Sequence, residues 1–193
     1  MQDSIHPQAI ILKFYPDHNP LRQLLLHHSR QVADHALRVA AAHPDLPLDI
    51  PFLEKGAMLH DIGIFLTDAP SIHCHGTAPY LLHGRLGAEL LREEGRHLPE
   101  PEQQAEMEAL ARVCERHTGT GLTARQIREQ GLPLPPGDYC PQTLEEKVIC
   151  YADKFYSKSH PERERSYEQT LHSLAKFGEE GLVIFQEWHR MFG

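Results

Sequence analysis

An all-α fold is predicted by three features of this chain. Apolar residues recur at three- and four-residue intervals over most of it, N-cap residues and prolines stand where such stretches begin, and the strict alternation of a half-buried strand is nearly absent. With 193 residues the chain is long enough for one well-buried domain and short for two. A single all-α domain of about seven to nine helices is therefore expected.

Asn19 and Pro20 open the first clear helix, an N-cap followed by proline at the first helical position. Its apolar stripe runs through Leu21, Leu25, Val32, Ala36 and Val39, carries His28, and stops at Pro44. A second helix starts near Pro51 and brings Phe52, Leu53, Ala57, Met58 and Leu59 up to His60, with Gly63 placed to end it. Residues 64–80 read as a loop containing His73 and His75, both expected to be exposed. From about Pro79 to Glu94 a third helix puts His83, Leu86, Gly87, Leu90 and Leu91 on one face, ended by Gly95. A fourth, from about Pro101 to His117, spaces Met107, Leu110, Cys114 and His117 by three, four and three.

A short helix from Thr123 to Gln130 follows, where Thr123 and Gln126 have capping-box spacing and Gly131 marks the end. The segment Pro133–Pro141 holds four prolines and is expected to be an irregular, rigid loop. Thr143 and Glu146 make a second capping box, opening a helix through Val148, Ile149, Ala152, Phe155 and Tyr156 with Asp153 on its inner face. Two amphipathic stretches complete the chain, Tyr167–Phe177 and Leu182–Phe192.

Composition narrows the function. Forty per cent apolar and 24 % charged residues are ordinary for a globular protein, but the net charge of −8 argues against a nucleic-acid binder with a basic face. A small anionic substrate stays open, because a bound metal can supply local positive charge. Cys74, Cys114, Cys140 and Cys150 form no C-x-x-C pair and read as reduced thiols of a cytoplasmic protein. No apolar run approaches the ~20 residues of a membrane span, and the N-terminus, with Asp3, His6 and Pro7, lacks a signal-peptide core.

The chemistry concentrates at Leu59-His60-Asp61-Ile62-Gly63, where an imidazole and a carboxylate end an apolar helical run. Unpaired charge in such a place is very costly, and a divalent metal between the two relieves it. His28, His83, His117 and Asp153 lie on or at the end of apolar helical stripes, so all six side chains could reach one interior. Four imidazoles and two carboxylates without a thiolate suit iron, manganese, cobalt, nickel or zinc, and not a cysteine-type structural zinc site. Six donors exceed what one tetrahedral ion needs and suit two octahedral ions sharing a carboxylate. Fifteen histidines in the chain reduce the weight of any single one.

The order His28-Ser29, His60-Asp61-Ile62-Gly63, Ala152-Asp153 resembles the HD superfamily of metal-dependent phosphohydrolases, in the HDIG form. The likeness covers about residues 21–160 and implies an HD-type helical domain over 1–193, with a metal-binding core at about 21–160 and C-terminal helices at about 161–193. It implies a metal held by His28, His60, Asp61 and Asp153, with Asp61 and His60 as the catalytic pair. Leu82-His83-Gly84 and Arg116-His117-Thr118-Gly119 resemble the subset with a second ion, which His83 and His117 would complete with Asp61 bridging. Ile64 stands where many relatives have lysine. The histidine pair and Gly-Tyr-Pro of the cyclic-di-GMP phosphodiesterase branch are missing. Bacterial dinucleoside tetraphosphate hydrolases share the six-ligand order, but here the 118–143 connection is longer and proline-rich, and it is expected to border the site. Small HDIG proteins with a Leu-Glu-Glu-Lys segment, here Leu144–Lys147, are also similar.

What this implies is hydrolysis of a phosphate ester or anhydride in a small substrate, by preference a nucleotide, with two divalent ions and iron favoured. Arg116 and Lys154, each beside a ligand, are the candidates for phosphate contact; Lys158 reads as a solvated surface charge. The alternatives are a di-iron oxygenase on the same fold and a non-catalytic module stapled by metal.

Overall fold

The computed structural model describes residues 5–175 and 178–193. Helices dominate, and the short strands between them shape the site. Helix α1, Pro7–Phe14, was not legible as a helix: it has proline in its first turn but no side-chain cap, and Ile11 is its fully buried residue. Its consequence lies at Tyr15, whose hydroxyl donates to Ile62 O at 2.8 Å and accepts from Phe65 N at 3.3 Å. The chain just after His60-Asp61 is thereby held from outside.

Helix α2, Pro20–Ala42, begins at the expected cap, with Asn19 Oδ1 accepting from Arg22 N at 2.9 Å. Its buried stripe includes Leu25, His28, Ser29, Val32, Ala33 and Ala36. Helix α3, Ile50–Leu59, is capped by Asp49 and stops with His60. Gly63 does not end it in the left-handed region; its φ is −89°. The glycine serves close packing instead, since a Cβ there would lie 2.4 Å from both His83 O and Gly87 N.

The expected loop at 64–80 is more ordered than its composition suggests. Three-residue 3₁₀ turns alternate with β1 (Thr67–Ala69), β2 (Cys74–His75) and β3 (Ala78–Pro79) in a sheet of order β2-β1-β3. Strands of two or three residues are too short to show a period, so sequence patterning misses them. A further 3₁₀ turn, Tyr80–Leu82, leads into α4, His83–Arg96. Gly95 lies inside that helix against Met107 and not at its end.

Helix α5, Pro101–Arg116, packs along α4, and α6, Ala124–Gln130, has the full Thr123/Gln126 capping box and ends at Gly131 with φ +60°. The proline-rich segment returns to it through paired backbone bonds between Leu122 and Tyr139 at 3.1 and 2.7 Å. Helix α7 spans Leu144–Asp153 and stops short of the expected Tyr156. The chain turns at Lys154 and forms an antiparallel hairpin of β4 (Tyr156–Ser157) and β5 (His160–Glu164). Helix α8, Tyr167–Leu174, carries a Ser166/Gln169 capping box, and the last two residues of the expected stretch, 176 and 177, lie outside the described residues. Helix α9, Glu179–Phe192, closes the order.

Two apolar clusters fill the interior. One joins Val32, Ala36, Leu53, Ile149, Tyr151, Phe185 and Trp188; the other joins Ile11, Leu25, Leu59, Ile62, Leu91, Met107 and Leu110. Helix α2 contributes to both, and the changeover along its stripe falls at His28. All four cysteines are free thiols, and no described helix is long and apolar enough to cross a membrane.

Candidate metal centre

Five elements deliver six polar side chains to one point. His28 comes from mid-α2, His60 and Asp61 from the end of α3, His83 from the first residue of α4, His117 from the cap of α5 and Asp153 from the last residue of α7. All six residues are buried, with Asp61 and His60 wholly so. Isolated, such groups would each cost several kcal/mol or change protonation state.

The arrangement is two clusters joined by one carboxylate. His28, His60, Asp61 and Asp153 offer donor atoms mutually within 4.8 Å, as do Asp61, His83 and His117. Asp61 Oδ2 faces the first cluster, 3.2 Å from His28 Nε2 and 3.1 Å from His60 Nε2. Asp61 Oδ1 faces the second, 3.4 Å from both His83 Nε2 and His117 Nε2. Asp153 Oδ1 completes the first cluster, 3.0 Å from His28 Nε2 and 3.5 Å from His60 Nε2.

Backbone carbonyls aim the imidazoles. His60, His83 and His117 each donate from Nδ1 to the carbonyl three residues earlier, Ala57, Tyr80 and Cys114, at 2.7, 2.6 and 2.7 Å. A neutral ring bonded this way keeps its proton on Nδ1 and presents the Nε2 lone pair inward, the usual support behind a metal-ligating histidine. His83 Nε2 and His117 Nε2 then stand 3.0 Å apart with lone pairs converging. His60 Nε2 and Asp61 Oδ1 are buried without a well-directed hydrogen bond, and Asp61 Oδ2 meets the Lys158 ammonium. Nitrogen and oxygen donors that converge and lack hydrogens to share fit a divalent cation.

The electrostatics show how strongly the paired carboxylates draw positive charge to this point, here as a proton on His60. Burial opposes charge on His60, but the Asp61 and Asp153 carboxylates outweigh it and lift its pKa to about 9. Burial lowers His83 to about 3 and also lowers His117, which keeps both rings neutral. Asp61 and Asp153 stay well below the ordinary carboxylate range despite burial, because Lys158, Lys154 and the histidines surround them.

The centre lies beside a cleft of about 890 Å³. His83, His117 and Asp153 reach into it, and Lys154, Lys158 and Arg165 give it a cationic wall. Leu122, Gln130, Leu132 and Leu174 also line it, so the 118–143 connection does border the site.

Three cations differ from their sequence assignments or sharpen them. Arg116 does not line the cleft; its Nη1 contacts both oxygens of buried Glu146 at 3.1 and 3.2 Å. Glu146 also accepts from Gln142 N at 2.6 Å, so it leaves the expected capping box half-made, with only Thr143 accepting from Glu146 N. Lys154 lies in the cleft wall, donating to Asp153 Oδ2 at 2.5 Å and to His117 O at 3.0 Å. Lys158 is not a solvated charge: it is largely buried, with Nζ 2.5 Å from Asp61 Oδ2. A reading that continued α7 as a helix had no means of turning Lys158 inward, because the hairpin that does so is short and polar. Arg165 was missed for the same reason. His73 and His75 are exposed as expected and do not line the cleft.

Comparison with known proteins agrees with this architecture. The HD domain family model matches residues 25–157. An uncharacterised protein of Methanocaldococcus jannaschii is 37% identical over 131 residues, 67% of this chain and 64% of that protein. A tRNA (cytidine(56)-2'-O)-methyltransferase of Picrophilus torridus is 31% identical over 134 residues, 69% of this chain but 32% of the enzyme, so the chain spans about a third of that relative. Among solved structures, the HD domain of the L. monocytogenes phosphodiesterase PgpH aligns with a TM-score of 0.51 at 18% identity, covering 96% of this chain and 95% of that one. The same domain in complex with cyclic-di-AMP gives 0.50 at 19% identity, covering 97% and 96%. At those identities the likeness concerns the fold.

Proposed function

This chain belongs to the HD-domain family, and from that premise we propose that it is a metal-dependent phosphohydrolase acting on a phosphate ester or anhydride of a nucleotide. The observation that carries the reading is one buried carboxylate, Asp61, shared by two donor clusters beside a cleft with a cationic wall. His28, His60, Asp61 and Asp153 would hold one divalent ion, and Asp61, His83 and His117 a second. Such ions, with iron favoured, would supply an activated water and offset charge on the attacked phosphate when bound.

The chain's own groups do the rest. Fixed Nδ1 bonds keep three imidazoles oriented, so little rearrangement is needed on loading. Lys154 and Arg165 line the cleft and would contact phosphate oxygens, and Ser157 and Ser159 would add hydroxyl donors. The apolar and amide surface of Leu122, Leu132, Leu174 and Gln130 offers room for a base or second nucleoside. The cyclic-di-AMP complex of the PgpH domain supports a nucleotide as the class to test first. We read residues 1–193 as one HD-type domain, since α9 shares a core with α2 and α7.

The test is phosphate or nucleotide release from nucleoside mono-, di- and triphosphates, dinucleoside polyphosphates and cyclic dinucleotides, with manganese, iron, cobalt or magnesium supplied. Turnover that requires metal is expected. No turnover on any substrate by protein shown to hold its metal would refute the hydrolase reading, and dioxygen consumption by the iron-loaded protein would then favour the oxygenase.

A further inference from the structure

Asp61 Oδ2 has more claimants than one oxygen can serve. It faces His28 Nε2 at 3.2 Å and His60 Nε2 at 3.1 Å, which makes it the donor the first ion would need. Lys158 Nζ reaches the same oxygen at 2.5 Å. An ammonium and a divalent ion repel each other strongly at such range in a buried place, so each weakens the other's hold on that atom.

The position of Lys158 is built rather than incidental. It sits in the turn of the β4–β5 hairpin, and that hairpin is tied to α2. His27 Nε2 and Gln31 Nε2 both donate to Pro161 O, at 3.0 and 2.9 Å. Tyr156 donates to Glu164 Oε2 at 2.8 Å, and Arg38 reaches the same carboxylate at 3.1 and 3.2 Å. The hairpin is thus held at several points through Pro161, Tyr156 and Glu164, and none of these contacts holds the Lys158 ammonium, which reaches Asp61 through its own four-carbon stem. It also lines the cleft, beside Tyr80, Lys154 and Arg165.

Resting on the metal-centre reading above, we propose that Lys158 is an exchangeable counter-ion: it competes with the first metal ion for Asp61 Oδ2, and metal loading turns its ammonium into the cleft to bind the substrate's phosphate. Lys158 then couples the two binding events. Metal releases the cation that phosphate needs, and a bound phosphate holds that cation away from the metal's ligand.

The experiment uses the full chain stripped of metal and reloaded with manganese, with inorganic phosphate as the anion probe. Lys158→Met should melt lower than wild type without metal, because Asp61 loses its partner, and the deficit should vanish at saturating manganese. Manganese should bind Lys158→Met roughly tenfold or more tighter than wild type, the competitor being gone. Phosphate should bind the manganese-loaded variant roughly tenfold more weakly. An equal melting deficit with and without manganese would make Lys158 a structural strut and overturn the proposal. Unchanged manganese affinity, or unchanged phosphate affinity, would overturn it as well. A structure of the wild-type protein loaded with manganese provides a check independent of any variant: Nζ should have left Asp61, and an ion bound with Nζ still on Oδ2 would contradict the exchange. None of these readouts is turnover, so failure here is distinct from failure of the hydrolase reading. Absence of manganese binding by wild type would refute both.

Discussion

Asp61 is the residue on which the most depends. As the carboxylate facing both donor clusters, it cannot be removed from one without the other. Asp61→Ala should lower metal-dependent turnover by at least about 10²-fold and remove both ions, whereas His117→Ala should remove one. The variant should remain folded but melt lower without metal, because Lys158 is left without its carboxylate partner; a parallel metal assay and melting curve check both points. Histidine burial sets a pH dependence of stability. Burial and the Arg38 charge lower His35 from 6.5 to about 4, and burial lowers His83 from 6.5 to about 3. Each therefore stabilises the fold fully above the unfolded value and loses that contribution as pH falls toward the folded one. For His35, at some distance from the metal ligands, the loss amounts to roughly 3 kcal/mol at most. The metal-free protein should melt at progressively lower temperature from pH 6.5 to 4, and a flat profile across that window would contradict the assignment. What could be read at this scale was residue type and spacing. Six candidate ligands stood on apolar stripes, and the structure brings all six together. The burial of Lys158 against Asp61 could not be read, because its inward turn depends on a hairpin whose residues carry no periodic signal.

At the scale of elements, the site depends on close approaches that side chains would prevent. Gly63 lets the chain after α3 touch the start of α4, where a Cβ would meet two backbone atoms at 2.4 Å. Gly63→Ala should cost about 1–3 kcal/mol or more and weaken metal binding, since His83 lies at the contact. The Arg116–Glu146 pair ties the end of α5, next to His117, to the start of α7, which ends at Asp153. Breaking one partner of a buried pair costs about 3–5 kcal/mol. Arg116→Ala should thus lower the melting temperature while leaving KM for substrate little changed once metal is saturating. A raised KM at unchanged stability would restore Arg116 to phosphate contact. Helix starts were legible where a cap and a proline coincide, as at Asn19-Pro20, or where a capping box forms, as at Thr123. Ends were less so: α7 stops at Asp153 through a tertiary contest won by the β4–β5 pairing, which local propensity does not foresee.

Across the whole molecule, charge is distributed against the net. The chain carries −8, yet Lys154, Lys158 and Arg165 gather in one cleft wall. A long polyanion would meet the repulsion of the whole surface, while two or three phosphates could enter the cleft and meet cations and metal. The fold class was legible because helical periodicity and capping agree along most of the sequence; of the cleft only the 118–143 border was, because the rest is walled largely by turns and a hairpin. The claim that joins these scales is a two-ion centre organised around one carboxylate. Metal titration of stripped protein, followed by counting bound manganese per chain, tests it most directly. Two equivalents in wild type, one in His83→Ala and none in Asp61→Ala are expected. One equivalent in wild type that His83→Ala leaves unchanged, or full binding in Asp61→Ala, would contradict it.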